Sequence, residues 1–215
     1  LKQRKTRKFI ARPLPGPHKL PESITLNHIL KEILDHAKTT REVKMILNQG
    51  KVLVNNKIRK QHRFQVGLFD TIAIPDNNEY YMLLYDNHRK FYLKKIKKEV
   101  ALLTIEKIIN KKILKHKKTQ INLHNGRNFL VDKDHYKVGD TLIFKDKQLI
   151  KHLKFEKGAN IYLTSGLHKG KTGILEKSEK TSELGQEIIT IKNDKSTITT
   201  SKKYAIVIDG EFANE

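Results

Sequence analysis

Basic side chains dominate the polar positions of residues 39–63, where they could form a binding surface. Seven lysines and arginines stand in this stretch against a single acidic residue, Glu42. Ammonium and guanidinium groups form charge-assisted hydrogen bonds with phosphate oxygens, and clusters of them are typical of surfaces that bind a nucleic-acid backbone. The stretch predicts phosphate contacts from Arg41, Lys44, Lys51, Lys57, Arg59, Lys60 and Arg63.

A short helix and a hairpin are predicted to position these cations. Thr39 and Glu42 are three residues apart, as in a capping box at a helix start. Gly50 stands where the helix would end, because glycine readily takes the left-handed conformation of a C-terminal cap. The pair Asn55-Asn56 can make a tight turn between two strands. The apolar residues fit this order, with a helical face of Val43, Ile46 and Leu47 followed by strand residues Val52, Val54 and Ile58.

The composition indicates a polyanionic partner. The 215 residues include 44 Lys and Arg against 23 Asp and Glu, which gives a net charge of +21. So large a charge repels itself in a compact chain unless a polyanion neutralises it, and nucleic acid is the first candidate. An anionic membrane surface is the alternative. No segment approaches the ~18 apolar residues of a membrane span, and neither end carries a strongly amphipathic basic helix, so no membrane partner is expected.

The chain contains no cysteine, which excludes disulfides, thiolate zinc sites and thiol nucleophiles. His28 and His36 lack further ligands at metal-binding spacing, so they are interpreted as surface histidines and no metal is expected. We expect a soluble cytoplasmic protein with no cofactor and no small-molecule substrate. No secretory signal is visible, although the chain opens on Leu1 rather than Met, which suggests that a leading segment is missing.

The first 19 residues are basic and contain no acid. Pro13, Pro15 and Pro17 bracket Gly16, which disfavours both helix and sheet pairing. Residues 1–22 are therefore predicted to form an extended arm that cannot bury a core of its own. A solvated tail is one interpretation, but a tail that folds into a groove of RNA fits the single-sign charge better. The candidate RNA contacts in the arm are Lys2, Arg4, Lys5, Arg7, Lys8, Arg12 and His18.

The rest of the chain predicts one further helix and many short strands. An amphipathic helix is expected after Ser23, packed on the helix that follows Thr39. Residues 71–150 combine β-branched and aromatic runs with turn sequences, which is typical of an antiparallel sheet or small barrel. Residues 88–120 add 12 Lys and Arg against two acids, more than the protection of edge strands requires, so a cationic flank is predicted. The apolar stripe of the helix would be Leu26, Ile29, Leu30, Ile33, Leu34 and Ala37.

Residues 158–175 predict a strand, a glycine-rich loop and another strand. His168, Lys169 and Lys171 stand among the glycines and could donate to phosphates. A nucleotide-binding P-loop would need four residues between its glycines and a helix after the lysine. Here three residues separate two of the glycines and a strand is predicted to follow, so no nucleotide site is expected. The glycines with predicted structural roles are Gly50, Gly166, Gly170 and Gly173.

Two of these stretches resemble known RNA-binding units. Residues 39–74 resemble the alpha-L RNA-binding fold of ribosomal proteins, pseudouridine synthases and tyrosyl-tRNA synthetases, and residues 158–175 resemble a KOW motif. With three further motifs their order is similar, over essentially the whole chain, to the fourth small-subunit ribosomal protein family of archaea and eukaryotes, the S4e type. The further motifs are Arg-Pro-Leu-Pro-Gly-Pro-His at 12–18, Phe-Gln-Val-Gly-Leu-Phe-Asp at 64–70 and Asn-Leu-His-Asn-Gly-Arg-Asn at 122–128.

Two departures from the family pattern concern the hairpin turn and the start of the chain. Asn55-Asn56 stands where the family commonly has Asp-Gly or a similar pair, and the turn should survive because asparagine tolerates the left-handed conformation. The family usually carries a further basic segment before the proline run, for which Leu1 comes too early.

The resemblance implies a non-enzymatic protein of cytoplasmic ribosomes that binds and stabilises small-subunit rRNA beside neighbouring ribosomal proteins. It adds Arg127, in the third of these motifs, to the candidate RNA contacts. It also implies an α+β, mostly β fold with three small domains behind the extended arm. These would be an alpha-L domain over 23–75, a central antiparallel β domain over 76–154, and an SH3-like KOW domain with the C-terminal strands over 155–215.

Two alternative functions belong to other classes. An RNA-modifying enzyme such as a pseudouridine synthase would need a catalytic aspartate in a Gly-Arg-Leu-Asp-type context. The nearest sequence, Gly126-Arg127-Asn128, has no carboxylate, and no Gly-x-Gly-x-x-Gly cofactor loop occurs. A KOW transcription factor would leave the arm and the alpha-L unit unexplained. Both alternatives are therefore less favoured than a ribosomal protein.

Overall fold

The computed structural model describes residues 10–86, 88–114, 118–132, 134–146, 148–180, 187–193 and 196–213. The chain divides into two compact units, with the boundary between Thr104 and Ile105. Strands outnumber helices in both units, which confirms the predicted mostly β character. Among the described residues, no helix has the length and apolar character needed to cross a membrane.

The first unit combines a five-stranded antiparallel sheet, in the order β3-β2-β5-β6-β7, with a two-stranded ribbon of β1 and β4. The segment Ile29–Ile33 continues helix α1 with wider, π-type turns. The elements in chain order are β1 (Ser23–Thr25), α1 (Leu26–His28), α2 (Thr40–Asn48), β2 (Leu53–Val54), β3 (Lys57–Ile58), β4 (Gln65–Gly67), β5 (Thr71–Ile74), β6 (Glu79–Tyr85), β7 (Phe91–Lys95) and α3 (Lys98–Ala101).

The capping box at the start of α2 is confirmed. The Glu42 backbone N–H donates to Thr39 Oγ1 at 3.2 Å, and the Thr39 hydroxyl donates to Glu42 Oε1 at 2.9 Å. The Lys38 backbone N–H donates to the other oxygen of this carboxylate, and that bond, followed by the one from Thr39, lowers the pKa of Glu42. Val43 and Leu47 on the opposite face of the helix are fully buried, as their spacing predicts.

The first helix begins with its apolar stripe, at Leu26, but ends earlier than the stripe suggests. Residues Ser23–Thr25 pair with β4 as strand β1, and the Thr25 side chain accepts from the His28 N–H as the helix cap. The helical segment ends at Ile33, and Asp35 has a φ of 55°, which a continuing helix cannot contain. Most of the stripe nevertheless faces the core, because Leu26, Ile29, Leu30 and Ala37 are buried and Leu34 packs on them, whereas Ile33 is exposed.

The second unit contains two five-stranded sheets, in the orders β10-β9-β8-β11-β12 and β16-β15-β14-β13-β17. Each has its own apolar cluster, around Ile121 and Phe144 in the first and around Ile161 and Ile189 in the second. The elements are β8 (Leu103–Ile113), β9 (Thr119–Leu123), β10 (Asn128–Val131), β11 (Thr141–Lys145), β12 (Gln148–Leu153), β13 (Asn160–Leu163), β14 (Thr172–Lys180), β15 (Glu187–Asn193), β16 (Ser196–Ser201), β17 (Ala205–Val207) and α4 (Gly210–Ala213).

The division into an arm and three domains stays a prediction, and one of its bounds falls inside a sheet. Strands β5 and β6 lie on either side of the predicted boundary between residues 75 and 76, yet they pair with each other, with Thr71 opposite Met82. The turn between them carries Asn78 in the left-handed conformation, with a φ of 54°. Residues on both sides of residue 75 therefore share one sheet in the first unit.

Candidate nucleic-acid interface

Helix α2 and the β2–β3 hairpin present a group of exposed cations in the first unit. Arg41 and Lys44 lie on the exposed side of α2, and Lys57 and Lys60 are exposed on and after β3. The pKa of His62 is lowered by burial and then by the charges of Lys44 and Arg63. Charges of one sign from the helix and from the chain after the hairpin therefore meet around this histidine.

The turn of the hairpin has the geometry that its sequence predicts. Asn55 and Asn56 both have positive φ, 49° and 60°, which matches the type I′ turn of a two-residue hairpin. Asn55 also accepts from the Thr71 N–H at 2.9 Å and donates to Asp70 at 2.6 Å, so the turn is tied to strand β5. Gly50 ends α2 with a φ of 75°, as predicted for a C-terminal cap.

Three of the predicted phosphate contacts in this stretch are engaged within the protein. Arg59 stacks its guanidinium over the Phe64 ring at 4.2 Å from the centroid. Arg63 donates from Nε to the backbone carbonyl of Arg12 at 2.9 Å. Lys51 forms an exposed ion pair with Asp76 at 3.3 Å, which solvent weakens. Phosphate binding by the first two would have to use the guanidinium nitrogens that these contacts leave accessible.

The described part of the arm lies against the first unit. The Leu14 N–H donates to the Arg63 carbonyl at 3.1 Å, and the His18 N–H donates to Gln65 Oε1 at 3.2 Å. A side chain at Gly67 would collide with the His18 ring, since an added Cβ would lie 2.3 Å from it. Residues 10–19 contain no helix or strand, and these contacts dock them on the rest of the first unit. The predicted contacts Lys2, Arg4, Lys5, Arg7 and Lys8 lie outside the described residues.

His18 is placed where it cannot reach RNA without leaving its site. Its side chain is only 6% exposed, and Nε2 lies 2.7 Å from Oδ2 of Asp70, which is equally buried. The same carboxylate accepts from the Gly67 N–H and from the Asn55 amide. The geometry therefore assigns His18 to holding the arm, whereas Arg12 is exposed and accessible to a ligand.

We expect this contact to weaken as the pH rises. Burial alone lowers the pKa of His18, but the hydrogen bond and charge of Asp70, with the charge of Glu22, outweigh it, so that the pKa lies above 6.5. A raised folded-state pKa means that the stabilisation is complete below 6.5 and is lost as the pH rises through the folded-state value.

An NMR titration of the His18 ring should therefore give a pKa above 6.5 that falls in the Asp70→Asn variant. The free energy of unfolding should decline with rising pH more steeply in the wild type than in His18→Gln. A His18 pKa below 6.5 in the wild type would contradict the assignment.

The second unit contains another buried aspartate–histidine pair, and the sequence analysis predicted neither pair. Asp140 is 2% exposed, lies 2.7 Å from His152 Nε2, and accepts from the backbone N–H groups of Lys137 and Phe155. Both aspartates follow a glycine within three residues and directly precede Thr at the start of a strand. That shared pattern is the sequence signal that could have pointed to two buried aspartate–histidine pairs.

Two of the predicted cations bind groups within the protein: one belongs to the third motif and one to the predicted cationic flank. Arg127 lies 2.6 Å from Glu106, which is 1% exposed, and its guanidinium lies 5.4 Å from the Phe144 ring centroid. Lys107 donates to the backbone carbonyls of Lys202 and Lys203, and burial, followed by the charge of Lys202, lowers its pKa to about 8. Two lysines of the flank, Lys115 and Lys117, lie outside the described residues.

The glycine-rich loop between β13 and β14 is tightly folded. Gly166 and Gly170 have positive φ, 83° and 90°, and the Gly170 N–H donates to the Leu163 carbonyl at 2.8 Å. Gly173 is required for another reason, because an added Cβ would lie 2.5 Å from the Ile191 side chain and 2.7 Å from the Lys192 carbonyl. His168 and Lys169 are half-buried and Lys171 is exposed.

Strand β14 begins at Thr172, directly after the last lysine of this loop. A nucleotide-binding P-loop would need a helix there, so the structure agrees with the interpretation that rejected one. The tip of the loop instead exposes Leu167, of which 76% is accessible, beside the basic residues.

Two family models match this chain, and together they cover most of the first unit and the first sheet of the second. Residues 34–72 match the family model of the S4 domain, and residues 77–148 match the model described as ribosomal family S4e. The small ribosomal subunit protein eS4 of Methanocaldococcus jannaschii is 36% identical over 219 residues, which cover 97% of this chain and 88% of the relative. The protein of the same name from Archaeoglobus fulgidus is 34% identical, covering 95% of this chain and 86% of the relative.

The fold has a solved counterpart as well. The crystal structure of the 30S ribosomal protein S4e from Thermoplasma acidophilum superposes with a TM-score of 0.75 at 29% identity, over 89% of this chain and 98% of that one. Both family models and relatives that cover nearly the full length of this chain therefore indicate the same family. The chain belongs to the ribosomal S4e family.

Proposed function

We propose that this protein is a structural constituent of the small ribosomal subunit and that it binds and stabilises small-subunit rRNA without catalysing a reaction. The observation that carries the proposal is the exposed basic face of α2 and the β2–β3 hairpin on an S4 domain, which is an RNA-binding fold. We call Arg41, Lys44, Lys57 and Lys60 the hairpin face. Its cations would contact phosphates and so recognise the shape of the RNA more than its base sequence.

The glycine-rich loop supports a second contact in the same role. We propose that the sheet containing β13 and β14 is an SH3-like KOW domain and that Lys171, with His168 and Lys169, meets rRNA at the loop. Neighbouring ribosomal proteins would be the other partners, and the cytoplasmic ribosome the location. Arg12, an exposed residue of the docked arm, would continue the basic surface.

Crosslinking of the tagged protein to RNA, followed by sequencing of the RNA fragments, tests this function. We expect the crosslinks to concentrate in small-subunit rRNA, at segments far apart in its sequence. We also expect the protein to sediment in stoichiometric amount with small subunits in high salt. Crosslinks spread over nascent transcripts, with loss from the subunit in high salt, would instead favour a KOW transcription factor.

A further inference from the structure

Three asparagines form a row across the first sheet of the second unit. Asn122 of β9 is paired with Asn110 of β8 on one side and with Asn128 of β10 on the other. Directly paired residues of antiparallel strands place their side chains on the same face. The neighbouring residues Ile121 and Phe129 belong to the apolar cluster, so the asparagine row lies on the opposite, outer face of the sheet.

A second row lies directly beside the first. Gln120 of β9 pairs with Lys112 of β8 and with Leu130 of β10. The Gln120 amide donates to Asn122 Oδ1 at 2.7 Å, which links the two rows. Asn110, Lys112, Asn128 and Leu130 are exposed and the two residues of β9 are half-buried. We call these six residues the amide face.

The composition of the amide face is unfavourable for a strand that has only a structural role. Asparagine is depleted in strands because its short polar side chain competes for backbone hydrogen bonds. β-Branched residues stabilise exposed strand positions better, yet asparagine stands at three positions in one row. Asn110 also has a local role, because its Oδ1 accepts from the Lys111 N–H beside the bulge, but Asn122 and Asn128 stand in regular strand pairs. Departures from local preference that bring no packing gain are expected at functional sites.

The chemistry of the face fits RNA in a particular way. A side-chain amide carries two donors and a carbonyl acceptor. The carbonyls of Asn110 and Asn122 accept from the Lys111 N–H and the Gln120 amide, so the groups that the face offers are the amide donors of the asparagines and the carbonyls of Asn128 and Gln120. Phosphates accept only, whereas base edges and the ribose 2′-hydroxyl both donate and accept. No carboxylate stands among the six residues, one of them is a lysine, and the chain carries a net charge of +21, which complements a polyanion.

We propose that the amide face binds an unpaired segment of ribosomal RNA through base edges and ribose hydroxyls, in contrast to the hairpin face, which binds phosphates. Leu130, of which 58% is exposed, supplies the apolar contact on which a base can pack at the edge of the face. The proposal rests on the proposed function and adds to it a second surface with a different chemistry.

The test replaces Asn110, Asn122 and Asn128 together with threonine. Threonine favours strands, so the variant should unfold at a temperature equal to or above that of the wild type. We expect its affinity for small-subunit rRNA to fall by about tenfold or more at fixed salt, the loss that roughly three hydrogen bonds would cause. Its salt slope should stay unchanged, because no phosphate contact is removed.

Two further variants serve as controls, one for the loss of an exposed amide and one for the loss of a charge. Gln148→Thr, an exposed amide at the start of β12 in the same sheet, should bind RNA as the wild type does. Lys112 is the one cation of the face and would contact a phosphate of the bound segment, so Lys112→Gln should reduce the salt slope by about 1. A photo-crosslinker at position 128 in the assembled subunit should capture RNA.

Wild-type affinity in the triple threonine variant, or capture of protein at position 128, would overturn the amide face as an RNA site. Neither result would affect the proposed function. That function would instead fail if the wild-type protein did not bind small-subunit rRNA.

Discussion

Replacing Lys44, Lys57 and Lys60 together with glutamate is expected to weaken binding to small-subunit rRNA by about a hundredfold or more at 0.1 M salt. Each phosphate contact contributes roughly 0.7 to 0.9 to the slope of log affinity against log salt. Loss of three contacts should flatten that slope by about 2 to 3. At 0.1 M, one decade below 1 M, the same difference corresponds to two to three decades in affinity.

The choice of residues follows from the structure. Arg59 has the same charge and a neighbouring position in sequence, but its guanidinium stacks on Phe64, so a glutamate there would also disturb the fold. Lys44, Lys57 and Lys60 are exposed, and substitution at such positions usually changes stability by about 0.5 kcal/mol or less. A loss of affinity can therefore be attributed to lost contacts with the RNA and not to unfolding of the protein.

A control with the same change in net charge separates position from total charge. Lys95, Lys97 and Lys98 are exposed in the same unit, around the end of β7 and the start of α3, away from α2 and the hairpin in sequence. Their replacement with glutamate should leave the salt slope closer to that of the wild type. Equal slopes in the two triple variants would mean that the hairpin face has no special part in binding.

The local elements of the candidate site were predictable because short-range chemistry determines them. Thr39 and Glu42 cap α2 through contacts within four residues, and the Asn55-Asn56 turn follows from the tolerance of asparagine for positive φ. Strands such as β5 and β6 were visible as runs of β-branched and aromatic residues. In all of these the deciding interaction is local or depends on the pattern of side chains facing the core.

The predictions that the geometry does not support concern partners distant in sequence. His18 is 52 residues from Asp70, and Arg127 is 21 residues from Glu106. From the sequence alone, a basic side chain near a motif is interpreted as a phosphate contact, because the buried carboxylate that it binds in the fold is distant along the chain. The strand at Ser23–Thr25 likewise depends on a distant partner, because it pairs with β4.

The asparagine row could not be foreseen from the sequence for a similar reason. Asn110, Asn122 and Asn128 become neighbours only through the register of three strands, and a bulge between Ile108 and Asn110 sets that register. A shift of one residue would turn each side chain to the other face. Periodicity predicts the strands, but it does not give their alignment.

Below pH 6.5, where the raised pKa of His18 keeps its ring charged, Asp70→Ala is expected to lower the stability of the first unit by about 3–5 kcal/mol. Removing one partner of a buried ion pair leaves the other charge uncompensated, and this is the usual cost. Asp70 is 4% exposed and connects the arm, the hairpin turn and the start of β5 through His18, Asn55 and the Gly67 N–H. The stability of Asp70→Asn should lie between that of the wild type and that of Asp70→Ala, since an amide can still accept one of these bonds.

Hydrogen exchange followed by mass spectrometry measures the effect where it should occur. Peptides covering residues 10–22 and 63–74 should lose protection in Asp70→Ala, while peptides from the second unit should keep theirs. Asp76→Ala is the matched control, because Asp76 is more than half exposed and pairs with Lys51 only at the surface. Such pairs contribute about 0–1 kcal/mol, so its exchange should resemble that of the wild type. If both alanine variants exchanged alike, the buried carboxylate would not be what holds the arm to the RNA-binding unit.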